Sequence, residues 1–172
     1  MPFCVIRVIC VNSFCVSDYS NMYVFPYLCR RSNYYQETDM GRKEEYKLQN
    51  EQFMQTLRTE ADVHELPCGI LYKVLEEGTG AATPRSNSVV SVHYKGTLIN
   101  GREFDNSWKR NCPEAFRLNE VIEGWQIALQ KMRVGDHWIV YIPYNMGYGT
   151  RTSGPIPAFS TLIFEVQLLG IA

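Results

Sequence analysis

The residues best placed to do chemistry lie in one short stretch, GREFDNSWKR, from Gly101 to Arg110. Phe104 stands directly before Asp105, and Trp108, Lys109 and Arg110 follow within five residues. Large aromatics go inside and carboxylates stay out as a rule. A carboxylate set beside an apolar wall therefore suggests the rim of a binding pocket. Tyr148, in GYG, makes the same combination of a polar tip on an apolar body. These groups can bind and polarise a ligand, but they are not a covalent apparatus. No segment carries the flanking motif of a serine hydrolase. The six cysteines include no Cys-x-x-Cys pair, and the three histidines, His64, His93 and His137, are scattered. A metal site is not expected, and no cofactor is implied.

Composition narrows the class. The 172 residues suit one domain with an extension and are enough for a sizeable core. With 17 Lys and Arg against 18 Asp and Glu, there is no electrostatic footprint for nucleic acid. No apolar run approaches the ~20 residues of a membrane span. Aromatics are plentiful, with eleven Tyr, eight Phe and three Trp, enough to line a pocket as well as fill a core.

The elements that must position these groups follow from periodicity. Residues 1–39 lack a clear period and hold four of the cysteines, Cys4, Cys10, Cys15 and Cys29. They are read as a leader, disordered or not translated. MGRKEEYKLQ, from Met40, is a polar beginning that places the protein in the cytoplasm; the alternative is export, if residues 1–39 act as a signal. Residues 40–67 form an N-terminal helix and linker. The helix runs from Arg42 to about Ala61, with Tyr46, Phe53, Met54, Leu57 and Ala61 on one stripe that packs on the domain or on a partner subunit. The protein is thus expected to be a monomer, or a weak dimer through this helix.

From Cys68 the period shortens to two. In VVSVHYKGTL, Val90, Val92, Tyr94 and Leu98 face one way, and in the last strand Leu162, Phe164, Val166 and Leu168 do so. Asn100-Gly101 is a strong hairpin signal. GILYKVLEEGTG and DHWIVYIP read as further strands. One short helix, EGWQIALQKM, puts Trp125, Ala128, Leu129 and Met132 on a single stripe and is ended by Gly135. Several antiparallel strands with one helix to cover their apolar face make an α+β fold.

Four segments in register, VSVHYKGTLINGREFDNS, FRLNEVIEGWQIALQKMRVGD, IPYNMGYG and GPIPAFSTLIFEVQLL, resemble the FKBP family of peptidyl-prolyl cis–trans isomerases, in a bacterial-like form. The likeness spans residues 68–172. It implies a twisted antiparallel sheet wrapped around the short helix, with an apolar pocket between them. By the same resemblance Trp125 is the pocket floor, and Tyr94, Phe104 and Phe164 are walls. Val121 and Ile122 stand at the helix entrance, where the Ile122 N–H can hold a substrate carbonyl. The Tyr148 hydroxyl reaches another carbonyl, Ile156 belongs to a flap, and Arg110 pairs with Asp105.

The resemblance implies an isomerase acting on proline-containing polypeptides during folding, with Asp105, Tyr148, Phe104 and Trp125 as its catalytic groups. It works without a covalent step and accepts a macrolide as a ligand. The alternative is a chaperone or binding module with little catalysis. The chain departs from compact eukaryotic members where they place a further pocket aromatic: Glu114 stands there, with Phe116, read as a substrate-binding residue, two residues on. One wall of the pocket and the affinity for macrolides depend on how that departure is accommodated.

Overall fold

The computed structural model describes the backbone from Cys29 to Ala172 and the side chains from Gly41 onward. Most of residues 1–39, read above as a leader, lies outside the described residues, together with Cys4, Cys10 and Cys15. The first helix, α1, spans Cys29–Leu57, so it crosses the boundary drawn at Met40. It stops one turn earlier than its apolar stripe suggests. Ala61 lies beyond it, exposed in a turn, because the chain tightens after Leu57 through short-range bonds such as Thr59 N–H to the Thr56 carbonyl at 3.0 Å.

Seven strands follow: β1 (His64–Glu65), β2 (Leu71–Glu76), β3 (Val89–Leu98), β4 (Glu103–Asn106), β5 (Glu114–Arg117), β6 (His137–Ile142) and β7 (Leu162–Ile171). All pair antiparallel in one sheet of order β1-β2-β6-β7-β3-β4, with β5 also on β3. The alternation read in β3 and β7 is the observed one: Val90, Val92, Tyr94 and Leu98, and Leu162, Phe164, Val166 and Leu168, are all buried. The hairpin at Asn100-Gly101 also forms, with Gly101 at φ +78°, a conformation that glycine adopts at no steric cost.

A short helix, α2 (Glu123–Leu129), packs on this face of the sheet. It ends at Leu129 rather than near Gly135, because Gly135 serves a different turn: its N–H reaches the Leu168 carbonyl at 2.7 Å. A Cβ at Gly135 would come within 3.0 Å of Gly78 Cα. Met132 is fully buried although it lies past the helix end.

α1 covers part of the opposite face of the sheet. Met54 and Leu57 pack with Leu71 and Tyr141, and Phe53 meets the Tyr141 ring at 6.2 Å. The polar centre of this contact is Asn50, which is fully buried. Its Nδ2 donates to the Tyr46 carbonyl at 2.7 Å, and its Oδ1 accepts the Thr161 N–H at 2.7 Å. Tyr46 adds a hydroxyl contact to Ser160 at 3.0 Å. These bonds tie the helix to the start of β7, so α1 docks on its own domain.

Asn50→Ala would leave the buried Thr161 N–H without an acceptor, and such a donor costs about 1–3 kcal/mol. Urea unfolding should show a loss of that size, with Tyr46→Phe losing less because its hydroxyl contact is only partly buried. Equal stability of Asn50→Ala and wild type would show that the helix is not anchored there.

Candidate active site

A cavity of about 560 Å³ lies between α2 and the sheet. Its floor is Trp125, in the first turn of α2 and 5% exposed. Three rings stand edge-on to the indole: Tyr94 at 5.2 Å and 87°, Phe164 at 5.2 Å and 81°, and Phe116 at 5.6 Å and 89°. Phe104 continues the wall against Phe164 at 5.6 Å and 88°. Edge-to-face contacts of this kind are favourable beyond area burial and fix the ring planes. The indole N–H of Trp125 is buried with no acceptor among the described residues.

β4 explains why Phe104 and Asp105 stand side by side. Successive residues of a regular strand point to opposite faces. In the β3–β4 ladder Gly96 faces Asp105 and Thr97 faces Glu103, so Phe104 is the extra residue of a bulge. The bulge lets both Phe104 and Asp105 line the cavity. Gly96 makes room for it: a Cβ there would lie 2.4 Å from two atoms of the Phe104 ring and 3.0 Å from Phe164.

The other lining residues come from loops. Val121 and Ile122 lead into α2, where the Ile122 carbonyl accepts the N–H groups of Trp125 and Gln126 at 3.0 and 3.2 Å. Tyr148 stands at the mouth, 43% exposed. Ile156 closes a tight turn with Ser153 through two reciprocal backbone bonds of 2.9 and 3.0 Å. The structure therefore brings all ten residues named as catalytic or substrate-binding around one cavity, together with Glu120, Ser153, Gly154 and Pro155.

Asp105 is held from two sides. The Tyr94 hydroxyl donates to its Oδ2, and Arg110 Nη1 pairs with its Oδ1. Burial opposes the charge on Asp105, but these hydrogen bonds outweigh it and hold the carboxyl below its ordinary value. Burial, reinforced by the hydrogen bond to Asp105, pushes the Tyr94 phenol well above the ordinary tyrosine range, so it keeps its proton and remains a donor. Arg110 Nη2 turns to Glu114 Oε1, and Glu114 Oε2 lies 3.3 Å from the Tyr94 hydroxyl. Glu114 is thus a second carboxylate on the same guanidinium, while Phe116 takes up the wall.

Several contributors were not recognised in the sequence. Ser107 is fully buried; its Oγ accepts the Tyr94 N–H at 2.8 Å, and its own N–H donates to the Tyr94 carbonyl at 2.9 Å. Trp108 stacks on His93 at 5.5 Å and 15° and pins the loop that carries Arg110 to the outer face of the sheet. Both contacts join β3 to a loop more than ten residues away, and no local pattern announces them. Glu114 and Gly96 were visible as residue types, but their roles depend on the cross-strand register.

Gly96→Ala is expected to displace the Phe104 ring. Overpacking of this kind costs about 1–3 kcal/mol, readable by urea unfolding, with a matching loss of affinity for a proline-containing peptide. A variant with unchanged stability and affinity would show that the bulge has slack. Acid stability reports on Asp105 itself. Its lowered native pKa contributes stability that is fully present above the unfolded carboxyl value of about 3.9 and is lost as pH falls through the lower native value. Urea midpoints of Asp105→Asn should therefore fall less steeply than wild type below about pH 4. Parallel curves would remove Asp105 from the acid transition.

Comparison with known proteins agrees with this geometry. Residues 80–169 match the family model for the FKBP-type peptidyl-prolyl cis-trans isomerase. The macrophage infectivity potentiator of Trypanosoma cruzi is 42% identical over 120 residues, covering 69% of this chain and 61% of that protein. The outer membrane protein MIP of Legionella longbeachae is 39% identical over 129 residues, covering 74% of this chain and 55% of the relative. The chain therefore spans less than two thirds of the length of these relatives. The crystal structure of FkpA from Escherichia coli superposes with a TM-score of 0.75 at 34% identity, covering 83% of this chain and 66% of that one. The crystal structure of a peptidyl-prolyl cis-trans isomerase from Pseudomonas syringae gives a TM-score of 0.71 at 37% identity, covering 76% of this chain and 96% of that one. With its bulged strand, aromatic box and short covering helix, the chain belongs to the FKBP-type peptidyl-prolyl cis–trans isomerase family.

Proposed function

We propose that the protein is a peptidyl-prolyl cis–trans isomerase that accelerates rotation of X-Pro bonds during protein folding. The observation that carries this is the apolar box over Trp125, with the Asp105 carboxylate on its rim bonded to Tyr94 and Arg110. Rotation about an X-Pro bond must cross a barrier of about 20 kcal/mol because amide resonance is lost. The planar amide is the more charge-separated form. Twisting it reduces the dipole, so a dry aromatic site favours the twisted state relative to water.

The proline ring rests on the Trp125 indole between Tyr94, Phe104 and Phe164. The Ile122 N–H holds one substrate carbonyl and the Tyr148 hydroxyl another, while Ile156 covers the site from the flap. Asp105 biases the field around the rotating amide and orders the Tyr94 hydroxyl. Asp105 is already engaged by the Tyr94 hydroxyl and Arg110, which fits a route without acid–base or nucleophilic steps. Glu114, in place of a pocket aromatic, is the feature that favours the alternative of a weakly catalytic binding module. Phe116 now supplies that wall, which favours the enzyme.

No helix among the described residues is long and apolar enough to cross a membrane. The Legionella relative is named as an outer membrane protein, which supports export of this chain over a cytoplasmic location.

A proline-limited refolding assay tests the enzyme reading. Wild type should accelerate the slow phase. Asp105→Asn, which keeps the shape, should lower kcat/KM about tenfold, equivalent to ~1.4 kcal/mol on the barrier, beyond any loss of folded fraction. Arg110→Met should lose stability more than activity per folded molecule, because it leaves Asp105 and Glu114 unscreened. A folded Asp105→Asn with full activity would reduce Asp105 to loop architecture.

A further inference from the structure

We infer that Glu114 is a specificity-determining residue, which makes the pocket rim select substrates with a cationic side chain next to the proline and disfavour acidic ones. This rests on the isomerase reading above and goes one step further.

The charge balance on the β4–β5 side of the rim supports this. With an aromatic residue at position 114, Asp105 and Arg110 would form a neutral pair. Glu114 adds a second carboxylate to the same guanidinium, so two negative charges share one positive charge. Tyr94 stays protonated and contributes no charge. The Asp105–Arg110–Glu114 cluster is left with one net negative charge.

That charge is available to a ligand. The Asp105 and Glu114 side chains are 36% and 33% exposed; Asp105 lines the cavity, and Glu114, outside the lining, acts on it through the Arg110 it shares with Asp105. The approach to α2 adds Glu120, whose side chain is 72% exposed and also lines the cavity. Its cationic neighbour, Arg117, reaches it only at 3.8 Å and is itself 57% exposed, so it screens Glu120 loosely. The flap contributes Ser153, Gly154, Pro155 and Ile156 to the lining, all uncharged. Arg151, exposed in the same flap, is not among the lining residues. The charged side chains that line the cavity are therefore acidic. A lysine or arginine beside a bound proline gains an attraction that a glutamate there meets as repulsion. A half-exposed charge of this kind acts in a high effective dielectric, so the effect is modest and falls with salt.

The experiment uses the full chain and three peptides that differ only in the residue before proline: lysine, leucine or glutamate. At low salt wild type should isomerise the lysine peptide about three- to tenfold faster, in kcat/KM, than the glutamate peptide. Glu114→Gln, which keeps the shape, should cut that ratio by about two- to fivefold, with the leucine peptide as the internal reference for any general change in rate. Raising salt to 0.5 M should shrink the wild-type ratio towards that of Glu114→Gln. A wild-type ratio near one, or a ratio that Glu114→Gln leaves intact, overturns the proposal. If none of the peptides is isomerised, the enzyme reading fails separately. The Kd values of the same peptides, read from tryptophan fluorescence, then decide the charge preference: tighter binding of lysine than glutamate, lost in Glu114→Gln, upholds it, and equal affinities overturn it.

Discussion

The site depends on one backbone irregularity, the bulge at Phe104 opposite Gly96. A regular strand would send Phe104 and Asp105 to opposite faces, so the pocket would lose either its wall or its rim charge. The bulge places both on the cavity side, and the missing side chain at Gly96 leaves the space that the Phe104 ring fills. Neither feature works alone. A bulge opposite a larger residue would push the ring out, and a glycine opposite a regular strand would leave a gap.

The same strand, β3, holds the electrostatics in place. Tyr94 presents its ring to Trp125 and its hydroxyl to Asp105, while its backbone N–H and carbonyl are both bonded to Ser107. Ser107 begins the loop that returns Arg110 to Asp105, and Trp108 fastens that loop by stacking on His93. The loop bearing the cation is thus fixed to the strand bearing the phenol. Loops carry binding groups well when a rigid scaffold positions them. Here the rigidity comes from one buried serine and a pair of stacked rings.

The two faces of the sheet divide the work. α2 covers the face that contains the pocket, and its brevity leaves the cavity open beside Trp125. α1 covers part of the other face through Met54 and Leu57 and is tied to β7 by Asn50. β7 carries Phe164 only a few residues beyond Thr161, so the helix steadies a strand that supplies a pocket wall.

Much of the fold was legible in the sequence because burial imposes a period. Alternation fixed the inward faces of β3 and β7, Asn-Gly fixed the hairpin, and the spacing of Trp125, Ala128 and Leu129 fixed the buried stripe of α2. Phe104, Asp105 and Tyr148 were legible as a rim from their chemistry, but the rest of the candidate site only through its likeness to a family, since an aromatic on an alternating strand is core as often as pocket. What tertiary structure alone decided has a common cause. The bulge, the bonds of Ser107, the His93–Trp108 stack and the attachment of Glu114 to Arg110 join residues from different elements, and a one-dimensional period carries no information about cross-strand register. β5 was missed for the same reason, since its four residues are a strand only by virtue of β3 beside them. Asn50 is the converse case: a polar residue on an apolar stripe, unremarked in the sequence, whose burial makes sense only once Thr161 is brought within 2.7 Å of it.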